Sequence, residues 1–103
     1  MIRALVILTL FLTSAACVGR PPGDATGEEI YLQLCSNCHA DDVSGSGGIG
    51  LPIGPGSNAA NQPDEFLRMT ILNGRGTMPS FRVSLNEDQL ERLIGYIRAV
   101  QGE

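Results

Sequence analysis

The segment Cys35-Ser36-Asn37-Cys38-His39 constrains this chain more than any other, because it holds two of the three cysteines and the sole histidine. Two thiols three residues apart on one helical turn can both reach the two vinyl groups of a haem and form thioethers. The adjacent imidazole then faces the iron from one side. Three rival readings use the same residues. A zinc site needs four ligands, and beyond Cys35, Cys38 and His39 the only further cysteine or histidine is Cys17. A thioredoxin-like dithiol belongs at a helix start after a strand in a βαβ unit, a context absent here. A Cys35–Cys38 disulfide would leave the histidine without a purpose. Haem attachment is the reading that uses all three side chains.

Size points the same way. A chain of 103 residues holds one domain at most. Setting its apolar start aside leaves about 80 residues, which bury little more than about 60% of their unfolded surface. Such a domain needs disulfides, a metal or a cofactor as reinforcement, and three cysteines cannot form an even disulfide framework. Nucleic acid is excluded as a partner, since seven arginines and no lysine against eleven carboxylates leave no basic patch.

Met1 and Arg3 followed by apolar Ala4 to Leu12 and the small-residue exit Thr13-Ser14-Ala15-Ala16 have the layout of a secretory signal over residues 1–16. A spanning helix would need about 20 apolar residues. The mature chain is expected to be exported to a bacterial periplasm, and losing Arg3 takes its charge from −4 to −5. Cys17 resembles the lipidated first residue of a bacterial lipoprotein. Ser14, however, stands where such signals usually carry leucine and equally suits ordinary cleavage after Ala16. Two readings stay open: a membrane anchor at Cys17, or a soluble periplasmic protein. Residues 17–26, with Gly19, Pro21, Pro22 and Gly23, read as a tether, and 27–103 as the folded domain.

From Gly27 the pattern is helical. Ile30, Tyr31, Leu34, Cys35 and Cys38 share one face. A second helix is expected from Pro63 to Asn73, with Asp64 and Glu65 in its first turn, Phe66, Leu67, Met69, Thr70 and Leu72 as its buried face, and Gly74 beyond its end. A third starts at the capping box Ser84-Leu85-Asn86-Glu87 and carries Leu90, Leu93, Ile94, Ile97 and Val100. No segment alternates with period two for long enough to be a strand, so the class is all-α. Between the first two helices lies a long stretch rich in glycine, Gly45 to Gly56 with Pro52 and Pro55. So long a loop in so small a domain is expected to wrap something.

With His39 on one side of the iron, the sixth position falls to a methionine, because no second histidine exists. Met69 lies at core spacing inside a helix, where methionine is most often a packing residue. Met78 lies in the non-helical strap Gly74-Arg75-Gly76-Thr77-Met78-Pro79-Ser80-Phe81, whose glycines let backbone approach a flat ligand. It is the expected axial ligand.

These residues in this order resemble a class I c-type cytochrome, in a small bacterial form with about three main helices and a Gly-rich loop around one covalent haem. Gly27 and Tyr31 on the first helix, the Cys35 to His39 segment, Gly54-Pro55, the Met78 strap, and Leu93 with Tyr96 on the last helix carry the likeness. The resemblance implies close approach of the first and last helices at Gly27, and a proline carbonyl, matched by Pro55, on the far nitrogen of the His39 ring. It also implies one haem c per chain, held through Cys35 and Cys38 and ligated by His39 and Met78.

The corresponding function is a periplasmic one-electron carrier between respiratory or dehydrogenase partners, and not an enzyme. Two other readings are an electron-transfer subunit of a specific dehydrogenase, and a haem sensor or peroxidase with a displaceable methionine. Carboxylates pair at Glu28-Glu29, Asp41-Asp42, Asp64-Glu65 and Glu87-Asp88. Those at Asp41 and Asp42 border the site and imply a partner with a basic docking face. Arg75 reads equally as a propionate partner or a surface arginine.

Overall fold

The computed structural model describes residues 19–102, so the expected signal segment and Cys17 lie outside the described residues. Four helices follow in order: α1 over Gly27–Leu34, α2 over Ser36–His39, α3 over Asp64–Asn73 and α4 over Glu87–Gln101. A 3₁₀ turn at Ala59–Asn61 precedes α3, and no strand occurs among the described residues. The helical class read from the pattern is the observed one.

Helix α1 starts where Thr26 and Glu29 form a reciprocal capping box. It ends sooner than the apolar periodicity implies. Cys35 (φ −115°, ψ −35°) breaks the run, and the next four residues form the separate turn α2. Helix α3 begins at Asp64 with Pro63 as its N-cap, and Gly74 closes it. The start of α4 is two residues later than expected. Leu85 is drawn into the core, so Asn86 becomes the cap and pairs reciprocally with Gln89.

The core is built where α4 lies across α1, with Ile30, Tyr31, Leu90, Leu93, Ile94 and Ile97 buried between them and Leu67 and Ile71 of α3 closing one side. Each fully buried aliphatic side chain contributes roughly 1.5–3 kcal/mol. The crossing is close because Gly27 has no side chain. A Cβ there would run into the Arg92 carbonyl and come within 2.7 Å of Tyr96 Cβ. The Tyr31 and Tyr96 rings meet beside it at 5.5 Å between centroids, tilted by 50°. Met69 differs from expectation: it is 44% exposed, and Ile71, absent from the expected face, is buried in its place.

The stretch 19–26 carries no regular element, yet it is strapped down rather than loose. Gln33 Nε2 donates to the Gly19 carbonyl (2.6 Å), Gln89 Nε2 to those of Pro21 and Pro22 (3.0 and 3.1 Å), and an Arg92 Nη to that of Gly23 (2.7 Å). Ala25 is buried. The expected tether is therefore part of the folded body from Gly19 onward.

Candidate functional site

The end of α1 and the single turn of α2 place Cys35, Cys38 and His39 on consecutive turns. Ser36 Oγ ties α2 back to α1 by donating to the Leu32 carbonyl at 2.7 Å. Cys35 is buried and Cys38 half-buried, and the two are not bridged to each other. Burial, with a smaller contribution from Cys38, pushes the Cys35 thiol up to about 12. A thiol held neutral in this way is a poor redox nucleophile, because the thiolate is the reactive species. Among the described residues no group of three or more histidine, cysteine or carboxylate side chains gathers as a metal site.

The glycine loop wraps this segment from behind. Gly45 N–H donates to the His39 carbonyl (2.8 Å), Gly50 N–H to the Cys38 carbonyl (2.7 Å) and Ile53 N–H to the Val43 carbonyl (2.9 Å). Gly50 is required by contact. A Cβ there would stand 2.7 Å from the Cys38 oxygen and 2.8 Å from His39 Nδ1. The chain turns sharply after the histidine, and Ala40 and Val43 both take positive φ (67° and 62°). Such non-glycine conformations are held only by surrounding structure. Part of that hold is the Tyr31 hydroxyl, which donates to the Ala40 carbonyl at 2.7 Å.

His39 Nδ1 lies 2.6 Å from the Leu51 carbonyl oxygen. A neutral imidazole donating there keeps Nε2 as its lone-pair nitrogen, the arrangement a metal-binding histidine uses. The partner carbonyl belongs to Leu51, just before Pro52, and not to Pro55 as the resemblance implied. The loop bonds through Gly45, Gly50 and Ile53 bring Leu51 to the ring. Leu51 and neighbouring Ile49 hold large apolar side chains in solvent, 78% and 82% exposed. This non-polar surface borders the site.

Met78 is partly buried against the core. Its strap is a tight turn in which Arg75 and Met78 exchange backbone hydrogen bonds of 3.1 and 2.9 Å. Phe81 N–H to the Ile71 carbonyl (2.9 Å) and Ser80 Oγ to the Leu72 carbonyl (2.5 Å) stitch the strap to the end of α3. The Arg75 guanidinium sits over the Phe66 ring at 5.3 Å from its centroid, a cation–π contact that neither expectation for this arginine included. Asp41 and Asp42 are exposed just beyond α2. Hydrogen bonds from Ser44 hold the Asp42 carboxyl below the usual carboxylate range.

The donor set fits a haem. Two unbridged thiols one turn apart stand beside an imidazole whose Nδ1 is engaged, and a strapped thioether is held against the core.

Comparison with known proteins agrees. Residues 22–97 match the family described as cytochrome C oxidase, cbb3-type, subunit III. The chain is similar to cytochrome c-551 of Bacillus subtilis, 39% identical over 62 residues that cover 59% of this chain and 51% of that protein. It is also similar to cytochrome c6 of Leptolyngbya boryana, 34% identical over 77 residues, 71% of this chain and 87% of that protein. Among solved structures, cytochrome cL from Hyphomicrobium denitrificans superposes with a TM-score of 0.64 at 35% identity, covering 73% of this chain and 45% of that one. The chain thus spans about half the length of the first of these relatives and of the solved structure.

Proposed function

The chain belongs to that family and is a small class I c-type cytochrome, and from that membership we propose that it is an exported carrier of single electrons with His39 and Met78 as axial ligands. Membership implies a covalently bound haem. Cys35 and Cys38 would hold it through thioethers at its two vinyl groups. Bound there, the group supplies an iron that alternates between ferrous and ferric. The chain's own residues do the rest. His39 would offer Nε2 because Nδ1 is committed to the Leu51 carbonyl, and Met78 would supply a thioether from its strap. With both residues bound to the iron, the protein would leave it no open position for a substrate. Thioether ligation and apolar surroundings raise the potential.

The observation that carries this reading is the hydrogen bond at His39. It fixes both ring orientation and tautomer at the end of the turn that presents the thiols. Purified holoprotein is expected to show a covalent c-type haem in its reduced-minus-oxidised spectrum, and its ferric form the charge-transfer band of methionine-bound iron. Met78→Ala should abolish that band while the haem stays attached. Persistence of the band in Met78→Ala would refute the ligand assignment.

We also propose that residues 1–16 are removed on export and that Cys17 carries a lipid, leaving the domain on the outer face of a bacterial membrane. The mass of the mature protein tests cleavage, lipid and haem together. A second reading is favoured by the family's description as an oxidase subunit: the chain then serves as a fixed electron-transfer subunit. Retention of a stoichiometric partner after mild solubilisation would select it over the free carrier.

A further inference from the structure

On the side of the molecule where residues 19–26 are strapped down, a cleft of about 510 Å³ opens between that stretch and the start of α4. Its lining includes Arg20, Pro21, Arg82, Val83, Asn86 and Gln89, and no carboxylate. In a chain of net charge −4 that is unusual ground. Among the other described arginines, Arg68 pairs with Glu65, Glu87 and Glu91, and Arg98 with Asp64. Arg82 reaches only the neutral Asn73 amide, at 2.5 Å, and Val83 stands 77% exposed beside it.

We infer that this cleft lies against the membrane, with Arg20 and Arg82 among anionic phospholipid headgroups and Val83 at their level. The inference rests on the reading of Cys17 as lipidated, and chain length carries it. Only Val18 separates Cys17 from Gly19, whose carbonyl is already held by Gln33. Two extended residues span at most about 7 Å, so a lipid on Cys17 leaves the domain no room to turn over. Whatever surrounds Gly19 and Arg20 must face the bilayer. An anionic surface repels an acidic domain as a whole, and the cleft lining meets it with two arginines, while the exposed carboxylates of Asp24, Glu87 and Asp88 flank the lining without entering it. Gln33 lies two residues before Cys35, so the same geometry holds the thioether end of α1 close to the membrane plane.

The test uses full-length, lipidated, haem-loaded protein in vesicles of phosphatidylcholine and phosphatidylglycerol. Val83→Cys and Ala99→Cys are compared for their rate of reaction with an uncharged polyethylene-glycol maleimide, in vesicles and in detergent. Ala99 is exposed near the far end of α4, about 20 Å along the helix from its start. Several-fold slower reaction in vesicles at position 83, with position 99 unchanged, is the expected result. Adding Arg20→Gln and Arg82→Gln to Val83→Cys should bring the vesicle rate several-fold closer to the detergent rate, since the tether alone keeps the cleft facing the bilayer without pressing it into the headgroups.

Equal accessibility at both positions, with the acyl mass present, would overturn the membrane face and leave the anchor standing. Absence of the acyl mass would overturn the anchor and the face with it. Protection at position 83 in native membranes but not in lipid vesicles would give the cleft to a protein instead. Protection that survives the double arginine change would overturn headgroup recognition.

Discussion

At His39 one backbone oxygen decides which ring nitrogen is available, and that oxygen left no trace in side-chain identity. The Cys-X-X-Cys-His segment and Met78 stand out as candidates in the sequence because their chemistry lies in side chains. Leu51 could not, since any residue offers a carbonyl and only the loop's bonding through Gly45, Gly50 and Ile53 selects this one. Tyr31 is the second quiet contributor. Its ring is buried and its hydroxyl satisfies the carbonyl of strained Ala40. Tyr31→Phe is expected to cost about 1 kcal/mol in denaturant unfolding of the holoprotein, because a partly buried acceptor loses its donor. Burial, with Cys35 next, raises the Tyr31 hydroxyl above its usual value of 10. The folded state then holds its proton where the unfolded chain releases it, so stability is intact below pH 10 and falls as pH rises above that value. This alkaline loss should be smaller in Tyr31→Phe.

Among the elements, the crossing of α1 and α4 leaves the least tolerance. At Gly27 the atom in the way of a side chain is the Arg92 backbone oxygen, which cannot swing aside. Gly27→Ala must part the two helices and is expected to lower the unfolding free energy by about 1–3 kcal/mol, with Gly27→Val worse. At the helix starts the demands are milder. Thr26→Ala and Asn86→Ala each remove one side of a reciprocal capping box and should cost about 1 kcal/mol, read as a shift in denaturant midpoint. The existence of α1, α3 and α4 was legible from periodicity, but their ends were not. Ser84 looked like the cap of α4 until Leu85 proved to be core, and the apolar run through Cys38 hid the break at Cys35. On α3, Met69 and Ile71 exchange their expected places, since two residues apart on a helix point to different faces.

Over the whole molecule, acidity organises the surface. With a net charge of −4 and carboxylates at Asp41 and Asp42 beside the site, association with a basic redox partner is expected to slow as ionic strength rises. Stopped-flow electron transfer across a salt series measures this, and a flat response would remove electrostatics from the docking. The strap at 19–26 shows where sequence reading ends. Gln33, Gln89 and Arg92 reach it from two helices, and polar side chains bonding to backbone create no periodicity to find. The α1–α4 crossing also sets a timetable. Much of what Ile30 and Tyr31 pack on lies in α4, some 50 residues after α1, and contacts so far apart in sequence form slowly. For all that interval Cys35 and Cys38 remain on an unfinished, open chain. The late arrival of the last helix thus leaves a window in which both thiols are open to solvent before the fold encloses the first of them.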